Sequence, residues 1–147
     1  MHRNEHSVEI ERPPEDVFPY LVEAEKRLRW MGALKEAEQV SDGPPRLGTR
    51  FRDVFEDHGQ RFEIDAEIVE WEPSERLATR LRSNAFASTG RQRLERLDGR
   101  TRLTTTIETE YKSRMARLMA GVITRHAQAR LEEDLGTLKT LVESDRG

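Results

Sequence analysis

Hydrophobic positions change their period along this chain, and the change divides it into three regions. Ser7 to Glu11 alternates, with Val8 and Ile10 on one side, as a first strand does. Arg12-Pro13-Pro14-Glu15-Asp16 then stops the strand and starts a helix, because proline is tolerated in a first helical turn and acids suit its N-terminal dipole. Val17, Phe18, Leu21 and Val22 form the apolar side of that helix, and a second short helix is predicted over Glu23 to Arg29, leading into Trp30 and Met31. From Ala33 onward the pattern is strand after strand: Ala33 to Ser41, Thr49 to Glu56, Arg61 to Trp71, Arg76 to Arg82, Ser88 to Leu97 and Arg100 to Tyr111. His58-Gly59 and Asp98-Gly99 read as hairpin turns, and the alternation slips at Val69 and Trp71 as it does at a bulge.

The last region, Arg114 to Ser144, reads as one long helix of about 45 Å. Ala116, Ala120, Ile123, Ala127, Leu131, Leu135, Leu138 and Val142 form a continuous stripe on it, alanine-rich in the first half and leucine-rich in the second. Small residues under the first half predict a cavity between helix and sheet, although alanine is also the best helix former and needs no further reason to be there. Met115, Leu118, Met119 and Val122 form a second apolar face, over which a homodimer or a covering loop is expected. Strands grouped together and helices grouped at the ends make the fold class α+β, in a single domain over residues 1 to 147.

Composition narrows the function classes. Charged residues make up 36% of the chain, yet the net charge is only -3, so nothing draws it generally toward nucleic acid or acidic membranes. With no cysteine, thiolate chemistry and disulfides are excluded. The polar N-terminus and the absence of any apolar run of about 20 residues predict no stable membrane insertion and a cytoplasmic location.

The elements and their turn residues together resemble a known family. Val8-Glu9-Ile10 precedes Pro13-Pro14-Glu15-Asp16-Val17-Phe18, and Trp30 follows the short helices. Then come Ser41-Asp42-Gly43-Pro44 with Leu47-Gly48-Thr49-Arg50-Phe51, Glu70-Trp71-Glu72-Pro73-Ser74-Glu75-Arg76-Leu77, and Asp98-Gly99-Arg100-Thr101-Arg102-Leu103-Thr104. Nearly the whole chain is similar to the polyketide cyclase/dehydrase branch of the START-like (SRPBCC) superfamily. The resemblance implies a helix-grip fold: a curved antiparallel sheet of about seven strands, with two short helices, holding the long C-terminal helix over an apolar pocket. It says little about chemistry, because the superfamily contains cyclases, lipid and quinone carriers, hormone-binding proteins and chaperone activators.

Three functions follow as expectations. The first is binding of a small, mostly apolar ligand (lipid-, polyketide- or quinone-like) between walls of Trp30, Phe51, Phe55, Phe62, Trp71, Phe86, Met119, Ala120 and Ile123. The second is a cyclase or dehydratase with Asp53 or His126 as acid and base. Asp53 shares a strand face with Phe51 and Phe55, but the opposite phase would leave it in solvent, and His126 stands at the edge of the alanine stripe, where a helix histidine is commonly half exposed. The third is a protein-interaction module whose surface matters more than its pocket. His2-Arg3-Asn4-Glu5-His6 has the letters of a zinc-hydrolase motif but runs into a strand, and neither His58 nor His126 has a second ligand at workable spacing, so neither a metal nor a cofactor is expected. Thr79, Gln92, Thr105 and Thr109 fall among apolar neighbours on the strands, while Arg80, Arg82, Arg91 and Arg93 read as a charged outer face.

Overall fold

In the computed structural model, which describes residues 1–145, one antiparallel sheet runs through the chain. Its strands are β1 (His2–Ile10), β2 (Leu34–Gln39), β3 (Arg50–Asp57), β4 (Gln60–Glu72), β5 (Arg76–Arg82), β6 (Phe86–Leu97) and β7 (Arg100–Tyr111). Their order is β1-β7-β6-β5-β4-β3-β2. Every neighbour except β1 is consecutive in sequence, so the sheet is a meander closed at one edge by the first strand. The helices α1 (Pro14–Val22) and α2 (Ala24–Arg27) carry the chain from the β1 edge to the β2 edge.

Turn chemistry sets the register. His58 and Gly59 have φ of 49° and 77°, and Asp98 and Gly99 have 46° and 82°, the left-handed pairs that let a two-residue hairpin follow the twist of its strands. The pattern slip near Val69 is a register shift between Ile68 and Glu70 against β5. Beyond it Trp71 pairs with Leu77 and returns to the concave face. β1 begins at His2, several residues before the expected start, because its polar first half still finds backbone partners along β7.

The C-terminal helix is broken once. α3 (Arg114–Leu118) and α4 (Ala120–Ser144) are separated at Met119, whose φ and ψ of −95° and 6° leave the helical region. Ser113 caps α3 by accepting the Ala116 amide at 3.0 Å. The single helix expected over Arg114 to Ser144 is therefore two.

The two halves of the helical stripe meet different partners. Leu131, Leu135, Leu138 and Val142 pack with Ile10, Val17, Phe18, Leu21, Phe51, Ile68, Leu94 and Leu103 in the main core. Leu135 and Leu138 are wholly buried, each contributing about 1.5–3 kcal/mol of apolar transfer. Ala116 and Ala120 join Tyr111 in a separate small cluster, with Ala85, Phe86 and Ile123 against it. On the opposite face of the sheet, Arg80, Arg82, Arg91 and Arg93 are exposed as expected, with Arg91 3.6 Å from Glu108 and Arg93 3.2 Å from Glu95.

Candidate functional site: the cleft under the C-terminal helix

Between the two apolar clusters lies a stretch of concave sheet that the helix does not cover closely. Its pairings put Thr79, Gly90 and Ile107 in one row, Leu81, Ser88 and Thr109 in a second, and Leu77, Gln92 and Thr105 in a third. Thr79, Leu81, Gly90, Gln92 and Ile107 stay half-buried although they are on the inner face, and so do Ile123 and Ala127 opposite them on α4. A methyl group added at Gly90, midway along β6, would meet no heavy atom within 4 Å. Space at the middle of a concave face is what an open cleft supplies and a packed core does not.

Polar groups line its floor. Ser88 and Thr109 share a hydrogen bond of 2.8 Å, whereas the buried Thr105 hydroxyl has no partner among the described residues.

The helix is held over this cleft from both sides. On the β1 side, Asn4 Nδ2 donates to the Thr124 carbonyl at 3.0 Å and to Gln128 Oε1 at 3.1 Å, and Gln128 Nε2 donates to the Glu5 carbonyl at 2.9 Å. On the far side, at the β3–β4 hairpin, Asp57 lies 2.7 Å from His126 Nε2 and accepts from Arg130 Nη2 at 3.2 Å. The hydrogen bond from His126 and the charge of Arg130 hold the Asp57 carboxyl below the usual range.

The expected wall residues divide between the two clusters. Phe55 stacks on Phe62 at 5.8 Å, Phe62 meets Phe86 edge-on at 6.4 Å, and Phe86 and Ile123 each pack against the small cluster that includes Ala120, so these form one end of the cleft. Trp30, Phe51 and Trp71 belong to the main core. Trp30 donates its indole N–H to the Tyr20 carbonyl at 2.9 Å, and Trp71 packs edge-on against Phe18 at 5.2 Å. Met119, at the break between α3 and α4, is turned outward with Met115, Leu118 and Val122. Among the described residues no loop covers that face, contrary to one of the two expectations for it: the four residues are 42–80% exposed.

Asp53 faces inward, as its alternation with Phe51 and Phe55 suggested. It is 1% exposed, and Arg27 of α2 donates to both its oxygens, at 2.9 and 3.0 Å. The Arg27 guanidinium also lies 4.7 Å over the Phe51 ring. Arg27 was missed in the sequence because a basic residue ending a short helix looks like a solvated charge. Asp53 and His126 are not a pair: the partner of His126 is Asp57, four residues and about 13 Å farther along β3 than Asp53. The absence of a second ligand near His58 and His126 is also corrected, since the fold brings His58, His126 and Asp57 together.

A further depression of about 750 Å³ lies away from this cleft, between α1 and the end of α4, lined by residues that include Arg12, Asp16, Tyr20, Lys26 and Asp145. Tyr20 bonds Asp145 across it, and burial pushes the Tyr20 hydroxyl above its usual range.

A curved meander gripping a C-terminal helix over a half-open cleft defines the helix-grip class. The sequence matches the family model for polyketide cyclase / dehydrase and lipid transport over residues 1–143, and the chain belongs to that family. Its solved structural relatives include TTHA0849 from Thermus thermophilus, at 19% identity and TM-score 0.80 over 99% of both chains. The Zhui aromatase/cyclase from Streptomyces sp. R1128 superposes with TM-score 0.80 at 17% identity, over 97% of this chain and 93% of its own. The hypothetical protein jhp0584 from Helicobacter pylori shares 20% identity at TM-score 0.78, over 96% of this chain and 88% of its own. At these identities the likeness is one of fold. No curated protein matches the sequence. No helix among the described residues is long and apolar enough to cross a membrane.

Proposed function

We propose that the chain binds a small, mostly apolar molecule in the cleft between α4 and the sheet. The observation that carries this reading is the open space over Gly90 between two separate apolar clusters. Lipid-, quinone- and polyketide-like molecules have the required chemistry: an apolar body for the Phe55, Phe62 and Phe86 end, and an isolated oxygen for the polar floor. A filled cleft would have favoured a surface role in protein interaction, and the space at Gly90 weighs against that.

The cyclase or dehydratase reading is supported by the family and by the aromatase/cyclase among the structural relatives. Of its expected acid and base, Asp53 is sealed in an ion pair with Arg27, and His126 stands on the exposed side of α4 against Asp57 at the hairpin. Binding without turnover is therefore the better-supported function. Native mass spectrometry of protein purified from its host, with extraction of whatever co-purifies, tests it. An apolar molecule recovered unchanged, and retained by the isolated protein, is the expected result. Chemical conversion of the recovered molecule by the protein would replace it with the enzyme reading.

A further inference from the structure

Two of the four histidines meet at one point although they come from distant parts of the chain. His58 stands at the tip of the β3–β4 hairpin, and His126 is on α4; their ring centroids are 4.7 Å apart. Asp57 lies between them, with Oδ2 2.7 Å from His126 Nε2 and Oδ1 3.8 Å from His58 Nε2. One donor atom from each of the three lies within 4.8 Å of the other two.

We propose that Asp57, His58 and His126 bind one divalent transition-metal ion of the zinc type, tying the hairpin tip to the helix. Two imidazoles and a carboxylate form a nitrogen-rich donor set that suits zinc and its neighbours, and leaves a fourth position for water. Magnesium and calcium prefer oxygen donors and are not expected. In a tetrahedral site with ligands at about 2.0–2.1 Å, donor atoms stand roughly 3.3–3.4 Å apart. His126 Nε2 is already 2.7 Å from Asp57 Oδ2, and the three donor atoms lie within 4.8 Å of one another, so a shift of up to about 1.5 Å by the His58 side chain completes the geometry. His58 is free to make that shift, since its side chain is 75% exposed.

The surroundings suit the ion as well. Arg130 donates to Asp57 Oδ1 at 3.2 Å, which leaves Oδ2 for the metal and fixes the carboxylate from behind, as outer-shell partners of metal ligands do. Arg130 in turn lies 3.7 Å from Glu133, so its positive charge is partly balanced. Two neutral imidazoles gain little from each other at this distance, and two protonated ones would repel. A shared cation gives their approach a favourable energy.

The test is calorimetric titration of zinc chloride into chelator-treated, tag-free full-length protein, with cobalt(II) absorption as the reporter of geometry. One ion per chain and the visible bands of tetrahedral cobalt are expected. His58→Gln and His126→Gln should each weaken binding at least about tenfold. His2→Gln and His6→Gln, which change the two histidines of β1, should leave it unaltered. His58 is on the surface, so its variant should keep the wild-type circular dichroism and melting curve, which separates loss of a ligand from loss of fold. Absence of stoichiometric binding, or binding that survives both the His58 and the His126 changes, would overturn the proposal.

Discussion

Arg27 and Asp53 form a bidentate pair at 2.9 and 3.0 Å inside the protein, joining the short helix α2 to the third strand. Removing one member leaves the other charged, desolvated and alone. Asp53→Asn should therefore cost about 3–5 kcal/mol in urea unfolding, whereas the double change Arg27→Met with Asp53→Leu should cost much less. Equal losses for the single and double variants would show that the pair does not act as a unit.

Gly90 supplies a sharper test of the cleft. A strand-interior glycine costs roughly 0.5–1 kcal/mol relative to alanine, and a side chain here enters open space. Gly90→Val should raise the unfolding free energy by about that amount while reducing retention of an apolar ligand. A destabilised variant would mean that the space is already taken; a stable one that binds normally would place the ligand elsewhere.

Asp134 and Asp57 should respond to acid in opposite directions. Burial raises the Asp134 carboxyl above its ordinary 3.8, against the opposing effects of the Gly32 amide and Arg130. The folded state thus favours its proton, and that contribution is complete below the unfolded value and lost as pH rises through the raised folded-state value. Asp134→Asn should consequently be no more stable than wild type at pH 3 and progressively more stable toward neutrality. Asp57, lowered chiefly by His126, contributes stability above its unfolded value and loses it as pH falls through the folded one, so Asp57→Asn should be destabilising near neutrality and close to wild type in strong acid. Unfolding curves collected across this range check both signs.

The exposed face of Met115, Leu118, Met119 and Val122 remains the place where a homodimer is expected, but its charges set a condition. Exposed Lys112, Arg114, Arg117 and Arg125 accompany it, and no acid occurs between Lys112 and Leu131. A two-fold contact would set these cations against their own copies. Sedimentation should show monomer at low salt, with association growing as the screening length falls from about 10 Å at 0.1 M to about 3 Å at 1 M. A dimer that is tightest at low salt would contradict this.

Local chemistry alone determined much of this protein. Alternation of side chains located the six strands after α2, Asp98-Gly99 and His58-Gly59 located two hairpins, and the leucines from Leu131 to Leu138 marked the half of the helix that enters the main core. These features were legible because each depends on residues within one turn or one strand. The partners of charged residues were not legible, because they are set by where distant segments cross. Arg27 meets Asp53 only when α2 is laid on the sheet, and His58 meets His126 only when α4 spans the mouth of the meander. Asp53 and Asp57 share one face of one strand, yet the first is sealed under α2 and the second stands half-buried at the hairpin. Periodicity identifies the face a residue occupies, whereas depth along that face depends on which helix covers it, and only the tertiary structure decides that.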